Sequence, residues 1–233
     1  MKCLLDGDII CYRAGFACDN EELAIALWQT DEMIKRIALE TSCTSMDVFL
    51  TGSGNFRYTV NPNYKANRKD ARRPKWLHQI REHLVTKWGA SVSNGTEADD
   101  EMGIAQDKET KTTLIATIDK DLLMIPGLHY NFVKGIHREV TKVDGKRWLY
   151  YQTIMGDKAD NIFGYDGKCR DKVPQFLQPT IDELNSLDKE RDMYEFVLDL
   201  YQMNGQGKEA MHMNAHCLYI WHKEDDKWEE PTV

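Results

Sequence analysis

Short apolar runs rich in β-formers alternate with longer helical patterns along this chain: CLLD near the start, MDVFLT at 46–51, ASVS at 90–93, TTLIATI at 112–118 and HYNFV at 129–133. That alternation predicts an α/β fold, with a mainly parallel central sheet flanked by helices. Between the second and third runs, Trp76, Ile80, Leu84 and Trp88 recur every four positions with Leu77 alongside, an amphipathic helix whose apolar stripe is core. The stretch REVTKVDGKRWLYY reads as a β-hairpin turning at Asp144 and Gly145. Beyond it the pattern is helical through LDKERDMYEFVLDLYQMNG and closes in the aromatic segment CLYIWHKEDDKW. A boundary near 150 therefore separates an α/β core, 1–150, from a mostly helical region, 151–233.

With 233 residues, 42% hydrophobic and 29% charged, the chain can bury a substantial core and is not of disordered composition. No apolar run approaches the roughly 18 residues of a membrane span. MKCLLDGDIICYRAGF meets Asp6 too early to form a secretory apolar core, so a cytoplasmic protein is expected. Six cysteines without CxxC pairing read as reduced thiols. His212, His216, Cys217 and His222 lack a second ligand pair of zinc spacing, and packing or surface placement is expected for them.

Acidic residues recur where strands should end. Asp6 and Asp8 close the first run, and Asp119 and Asp121 follow the fourth. Glu97, Asp99, Asp100 and Glu101 crowd GTEADDEMG, and Asp157 and Asp160 lie in GDKADN. In open parallel sheets ligands bind beyond the carboxyl ends of the strands, so these pairs are expected to converge in one cleft. Singly, each has a structural explanation: Thr96 with Asp99 fits a capping box, and DGD and DKD are turn chemistry. Together, crowded carboxylates either take up protons or share a cation, and oxygen ligands without histidine or thiolate select magnesium or manganese. Two such ions would clamp a phosphodiester, with water as nucleophile because no phosphate loop or nucleophile elbow is present.

The net charge of −8 conceals separated poles. Nine basic residues against two acidic ones lie between Arg57 and Lys87, which leaves −15 on the rest of the chain. Within NPNYKANRKDARRPKW, helical spacing puts Lys65, Arg68, Lys69 and Arg72 on one face, with Tyr64 one turn before Arg68. A cationic face headed by an aromatic suits a nucleic-acid backbone and a stacked terminal base.

LLDGD at 4–8, NYKANRK at 63–69, EADDEMG at 97–103, TIDKDL at 117–122 and QTIMGDKADNIFGYDGK at 152–168 together resemble the 5′-nuclease superfamily, the flap endonucleases and phage-type 5′ to 3′ exonucleases. The resemblance implies a PIN-like 5′-nuclease core with a helical arch at about 62–88, and a duplex-gripping helix-three-turn-helix in 151–233. It implies that Asp6, Glu97, Asp99, Asp100, Asp119, Asp121, Asp157 and Asp160 hold two Mg2+ or Mn2+ ions directly or through water. Lys65 and Arg68 are then the residues that engage the scissile phosphate. Tyr64, Lys69, Arg72, Gly164, Gly167, Lys168 and Lys172 contact substrate, and main-chain oxygens of the turn bind K+. The implied substrate is DNA with a 5′ end or flap, or an RNA:DNA hybrid, cut by a monomeric enzyme in the host bacterial cytoplasm. A PIN-type ribonuclease and a catalytically weakened DNA-binding protein are the competing readings. Two positions depart from the family pattern: Gly52 stands where a metal-site aspartate is usual, and Cys169 where relatives favour glycine.

Overall fold

The computed structural model describes residues 1–232. In chain order it forms β1 (Lys2–Asp6), α1 (Gly7–Ala17), α2 (Leu23–Thr41), β2 (Ser45–Ser53), α3 (Arg57–Val60), α4 (Leu77–Trp88), β3 (Ser91–Asn94), α5 (Ala98–Lys108), β4 (Thr113–Ala116), β5 (Gly127–Asn131) and β6 (Ile136–Val140). There follow α6 (Lys142–Met155), β7 (Gly156–Asp157), β8 (Ile162–Phe163), α7 (Gln178–Ser186), α8 (Glu190–Met203) and α9 (Lys208–Leu218). The chain divides into two compact units, one of 1–55, 72–140 and 220–224, the other of 56–71, 141–219 and 225–233. No described helix is long and apolar enough to cross a membrane.

The first unit is a sheet of order β3-β2-β1-β4-β5-β6, parallel except for β6, which runs antiparallel to β5. Its strands alternate between two covered faces. Cys3, Leu5, Val48, Leu50, Leu114 and Ala116 share a core with Ile10 and Ala14 of α1, Ile34 and Ile37 of α2, and Ile80 and Leu84 of α4. The intervening Leu4, Phe49 and Ile115 are also buried, and α5 packs on β1, β2 and β4. Gly7 lets α1 leave β1 at once: a Cβ there would stand 2.6 Å from the Phe49 carbonyl oxygen. Because the chain passes from β1 to β2 and β3 on one side and then crosses to β4 on the other, β1 and β4 flank the point where the strand order reverses.

The five expected strands all form, and the apolar stripe from Trp76 becomes α4, stopped by Gly89 in the left-handed region at φ 65°. Two expectations are overturned. Residues 142–155 are helix rather than the far arm of a hairpin. Thr141 caps the helix, its Oγ1 accepting from Asp144 N at 3.1 Å, while Asp144 Oδ2 accepts from the Thr141 hydroxyl at 2.7 Å. The same D-G pair that suggested a turn is the third and fourth position of a capped helix. The actual hairpin joins β5 to β6 and turns at Gly135, φ 65°.

The second correction concerns 62–76, which is not a continuous helix. Only Ala66–Arg68 forms a single 3-10 turn, entered from Lys65 at φ 53°. Lys65, Arg68, Lys69 and Arg72 therefore do not form a helical row. Arg72 instead pairs with Asp19, Lys75 N donates to the same carboxylate at 2.8 Å, and Pro74 is buried against Gly15.

The second unit is built on α6, whose Tyr150, Thr153 and Ile154 are fully buried. Helices α7, α8 and α9 pack on it. Tyr201 of α8 donates to the Thr153 carbonyl at 2.8 Å and accepts from Asn214 of α9 at 2.8 Å, so three helices share one polar tie. Arg57, buried at the start of α3, donates to the Cys217 and Tyr219 carbonyls at 2.8 and 2.7 Å, supplying the donors that the end of α9 lacks.

Candidate metal centre and phosphate clamp

Asp6, at the end of β1, and Asp119, just past β4, lie at the reversal point of the sheet. Asp6 ends β1 and caps α1: one oxygen accepts from Ile9 N at 3.0 Å, the other from the Thr117 hydroxyl at 2.7 Å. The same Thr117 oxygen accepts from Asp119 N at 2.9 Å, and Asp119 in turn accepts from Asp121 N at 2.9 Å. Thr117, which sequence spacing did not single out, thus ties the Asp6 carboxylate to the backbone amide of Asp119. Burial pushes the Asp6 carboxyl up to about 7 against two hydrogen bonds that favour its charge, and the charges of Asp119 and Asp8 push the same way.

The acidic turn before α5 lies in the same unit. Glu97 is the residue before the helix and Asp100 its third, with Glu97 N donating to Asp100 Oδ2 at 2.9 Å. The capping pair is therefore Glu97 with Asp100, not Thr96 with Asp99; the Thr96 hydroxyl goes to Glu101 Oε1 at 2.7 Å. Asp100 is wholly buried, and its other oxygen accepts from Trp221 N at 3.2 Å. Asp99 is partly exposed, while Glu97 is 8% exposed. Asp121 pairs with Lys120 at 2.7 Å. Asp8 points elsewhere: one oxygen takes the Arg81 guanidinium and the other Thr51 N at 2.9 Å.

Among the described residues no three histidine, cysteine or carboxylate side chains come together as a ready-made cage. Zinc requires such a cage, whereas magnesium keeps several waters and is held by one or two carboxylates. The buried Asp6 and the half-buried Asp119, two carboxylates whose charges act on each other, fit the second kind of ion. The histidines of the aromatic tail are otherwise occupied: His212 shares a 3.0 Å hydrogen bond with the Tyr194 hydroxyl and meets Trp228 edge-on.

In the other unit NYKANRK and GDKADN fold onto each other. Asp160 accepts from the Tyr64 hydroxyl at 2.7 Å and from Arg68 at 2.9 Å, with Lys65 Nζ at 3.6 Å. The backbones are tied as well, since Lys65 N donates to the Asp160 carbonyl at 2.9 Å, Arg68 Nε to Ala159 at 2.7 Å and Asn67 to Lys158 at 2.6 Å. Asp157, also buried, accepts from Asp160 N at 3.1 Å. Tyr64 is 1% exposed and edge-on to Tyr58, which corrects the expectation that it stacks on a base: its ring is core and its hydroxyl is the working end. Asp160 likewise is the counter-ion of the basic pair.

The turn after β8 carries Gly164, Gly167, Lys168 and Lys172. Gly164 is buried where a Cβ would lie 2.1 Å from the Ile154 carbonyl; Gly167 is exposed at φ 72°, and both lysines face solvent. The turn's carbonyls are answered by this chain's own donors. Ile162 accepts from Cys169 Sγ at 2.9 Å, Phe163 from Asn214 at 2.6 Å, Gly164 from Gly167 N at 2.9 Å and Tyr165 from Gln206 at 2.5 Å. These donors brace the turn from within the chain.

Residues 1–150 match the family model described as 5′-3′ exonuclease, N-terminal resolvase-like domain, and the chain belongs to that family. It is 27% identical over 187 residues to the exodeoxyribonuclease of Enterobacteria phage T3, covering 70% of this chain and 62% of that protein. The exonuclease of Escherichia phage T7 is 26% identical over the same span and coverage. The chain thus spans under two thirds of the length of these relatives. Among solved structures, the T5 D15 flap endonuclease in a pseudo-enzyme–product complex with DNA and metal ions superposes with TM-score 0.70 at 19% identity, over 93% of this chain and 88% of that one. T5 D15 crystallised with metal ions gives 0.66 at 15%, with the same coverage. These likenesses establish a 5′-nuclease fold.

Proposed function

We propose that this chain hydrolyses phosphodiester bonds in DNA from the 5′ end, as a divalent-metal-dependent exonuclease that also accepts flaps and RNA:DNA hybrids. The observation that carries the reading is the buried Asp6 carboxylate at the reversal point of the sheet, fixed by Ile9 N and by Thr117, which also takes the Asp119 amide. The phage T3 and T7 exonucleases, similar over 187 residues, support the same chemistry.

Asp6, Glu97, Asp99, Asp119 and Asp121 are the proposed ligands of two Mg2+ or Mn2+ ions. When bound, those ions would lower the pKa of an attacking water and offset charge on the leaving oxygen. Thr117 and Ile9 N fix the Asp6 carboxylate in advance, so no reorganisation is needed when charge develops. Asp100, engaged on Glu97 N and Trp221 N, acts from behind the ligands. Asp157 is a further proposed ligand, as the family resemblance implies. Lys65 and Arg68 bind the phosphate about to be cut, oriented by Asp160. Lys69, Arg72, Lys168 and Lys172 contribute sequence-independent backbone contacts, and the two glycines let the backbone of the turn come close. The protein acts as a monomer in the cytoplasm of an infected bacterium.

The test compares 5′-labelled blunt duplex, flap and RNA:DNA hybrid with and without magnesium. Short 5′ products that need magnesium are expected from all three. Intact DNA at every magnesium concentration defeats the proposal, and cleavage confined to single-stranded RNA favours a PIN-type ribonuclease.

A further inference from the structure

The edge of the sheet beside the acidic turn is irregular. Leu50 pairs with Val92 and Ser53 with Asn94, so Thr51 and Gly52 together face only Ser93, a bulge in a parallel pair. A bulge leaves backbone groups without ladder partners, and each must find another. Here Thr51 N donates to Asp8 at 2.9 Å, the Thr51 carbonyl accepts from Arg81 at 2.6 Å, and Asp8 and Arg81 pair with each other. One ion pair therefore closes a ring on the backbone N–H and C=O of one residue. Gly52 N donates to Ser93 Oγ at 3.1 Å, and that hydroxyl donates to the Thr96 carbonyl at 2.7 Å.

The outcome of this bracing is an aimed hydroxyl. Thr51 Oγ1 accepts from Ala98 N at 3.0 Å, one of the amides that open α5 and have no partner within the helix. Ala98 lies between Glu97 and Asp99. The bulge has no room for the aspartate usual in relatives, because a Cβ on Gly52 would stand 1.9 Å from the Ser93 carbonyl oxygen.

We infer that Asp8, Thr51 and Arg81 are positioning residues for metal binding: the ion pair fixes the bulge, and the Thr51 hydroxyl fixes the acidic opening of α5. This rests on the proposed metal centre. Residues acting behind a metal ligand commonly change affinity by about ten- to a hundredfold.

The experiment measures Mn2+ binding to the full chain without DNA by calorimetry, for wild type, Thr51→Val, Thr51→Ser, Arg81→Gln and Arg81→Lys. Melting temperature, DNA affinity in EDTA and amide exchange at Ala98 are measured in parallel. Thr51→Val and Arg81→Gln are expected to weaken Mn2+ about tenfold or more, with DNA affinity in EDTA unchanged and Ala98 exchanging faster. Thr51→Ser keeps the hydroxyl and the Mn2+ affinity, and Arg81→Lys lies between. Wild-type Mn2+ affinity in Thr51→Val overturns the inference alone, as does a loss in Thr51→Val and Thr51→Ser alike that tracks melting temperature. A wild-type chain that takes up no Mn2+ overturns the metal centre, and this inference with it.

Discussion

The hydroxyl of Tyr64 donates to Asp160 at 2.7 Å across 96 positions of sequence, and the same carboxylate receives Arg68 at 2.9 Å. The tyrosine, whose sequence position suits base stacking, instead helps to hold the acid that holds Lys65 and Arg68. The two readings separate cleanly, because phenylalanine keeps a stacking ring and removes only the hydroxyl.

Tyr64→Phe is therefore expected to cost about 1–3 kcal/mol in urea unfolding, since it leaves a buried carboxylate one donor short. It should also weaken DNA binding by loosening Lys65 and Arg68. Unchanged stability and unchanged DNA affinity would return Tyr64 to a purely apolar role.

Gly52→Asp tests whether the family's usual aspartate can be restored. With 1.9 Å between the new Cβ and the Ser93 carbonyl, β2 and β3 must separate. The variant is expected to lose about 1–3 kcal/mol or more of stability, the usual range for overpacking, and to gain no divalent-ion affinity. Thermal melting with calorimetric Mn2+ titration reads both.

His129 supplies a pH dependence away from the site. Burial chiefly, with Arg138 nearby, brings its pKa down to about 4 from the ordinary 6.5, against a 2.7 Å hydrogen bond to the Ile125 carbonyl. Below pH 6.5 the unfolded chain binds the proton and the folded chain does not. This contribution is thus complete above pH 6.5 and declines as pH falls toward about 4, by about 3 kcal/mol in all. Denaturant unfolding of His129→Gln should show a flatter profile across that window, and an unaltered slope would contradict the assignment.

Because Asn214, Gln206, Cys169 and Gly167 answer the carbonyls of the turn at 162–165, DNA affinity at fixed ionic strength should be the same in potassium as in lithium. A potassium-specific gain, measured by fluorescence anisotropy in calcium or EDTA, would show that a cation displaces those donors.

Strand existence was legible because each run is apolar and bounded, and the acids were legible because Asp6 and Asp119 follow runs whose burial dictates parallel neighbours. What lay beyond the sequence was long-range. The Asp8–Arg81 pair joins residues 73 apart, and nothing in local spacing distinguishes Asp8 from a ligand. The basic row at 65–72 has helical spacing, yet the backbone gives its hydrogen bonds to 158–160 instead, so tertiary partners overrode a local pattern. At 141–145 the local signal was ambiguous, because D-G serves a hairpin and T-x-x-D a helix; the capping box prevailed, and Gly145 is buried within the helix. The bulge at Thr51–Gly52 could have been suspected only from the glycine inside an apolar strand.

The central claim is that the carboxylates around Asp6 and Asp119 gather divalent ions. Anomalous scattering from crystals grown with Mn2+ tests it most directly. A peak is expected within about 2.2 Å of carboxylate oxygens of both Asp6 and Asp119, absent from the Asp119→Asn protein. Ions bound only at other surfaces, or an Asp6–Asp119 site without a peak at saturating Mn2+, would contradict it.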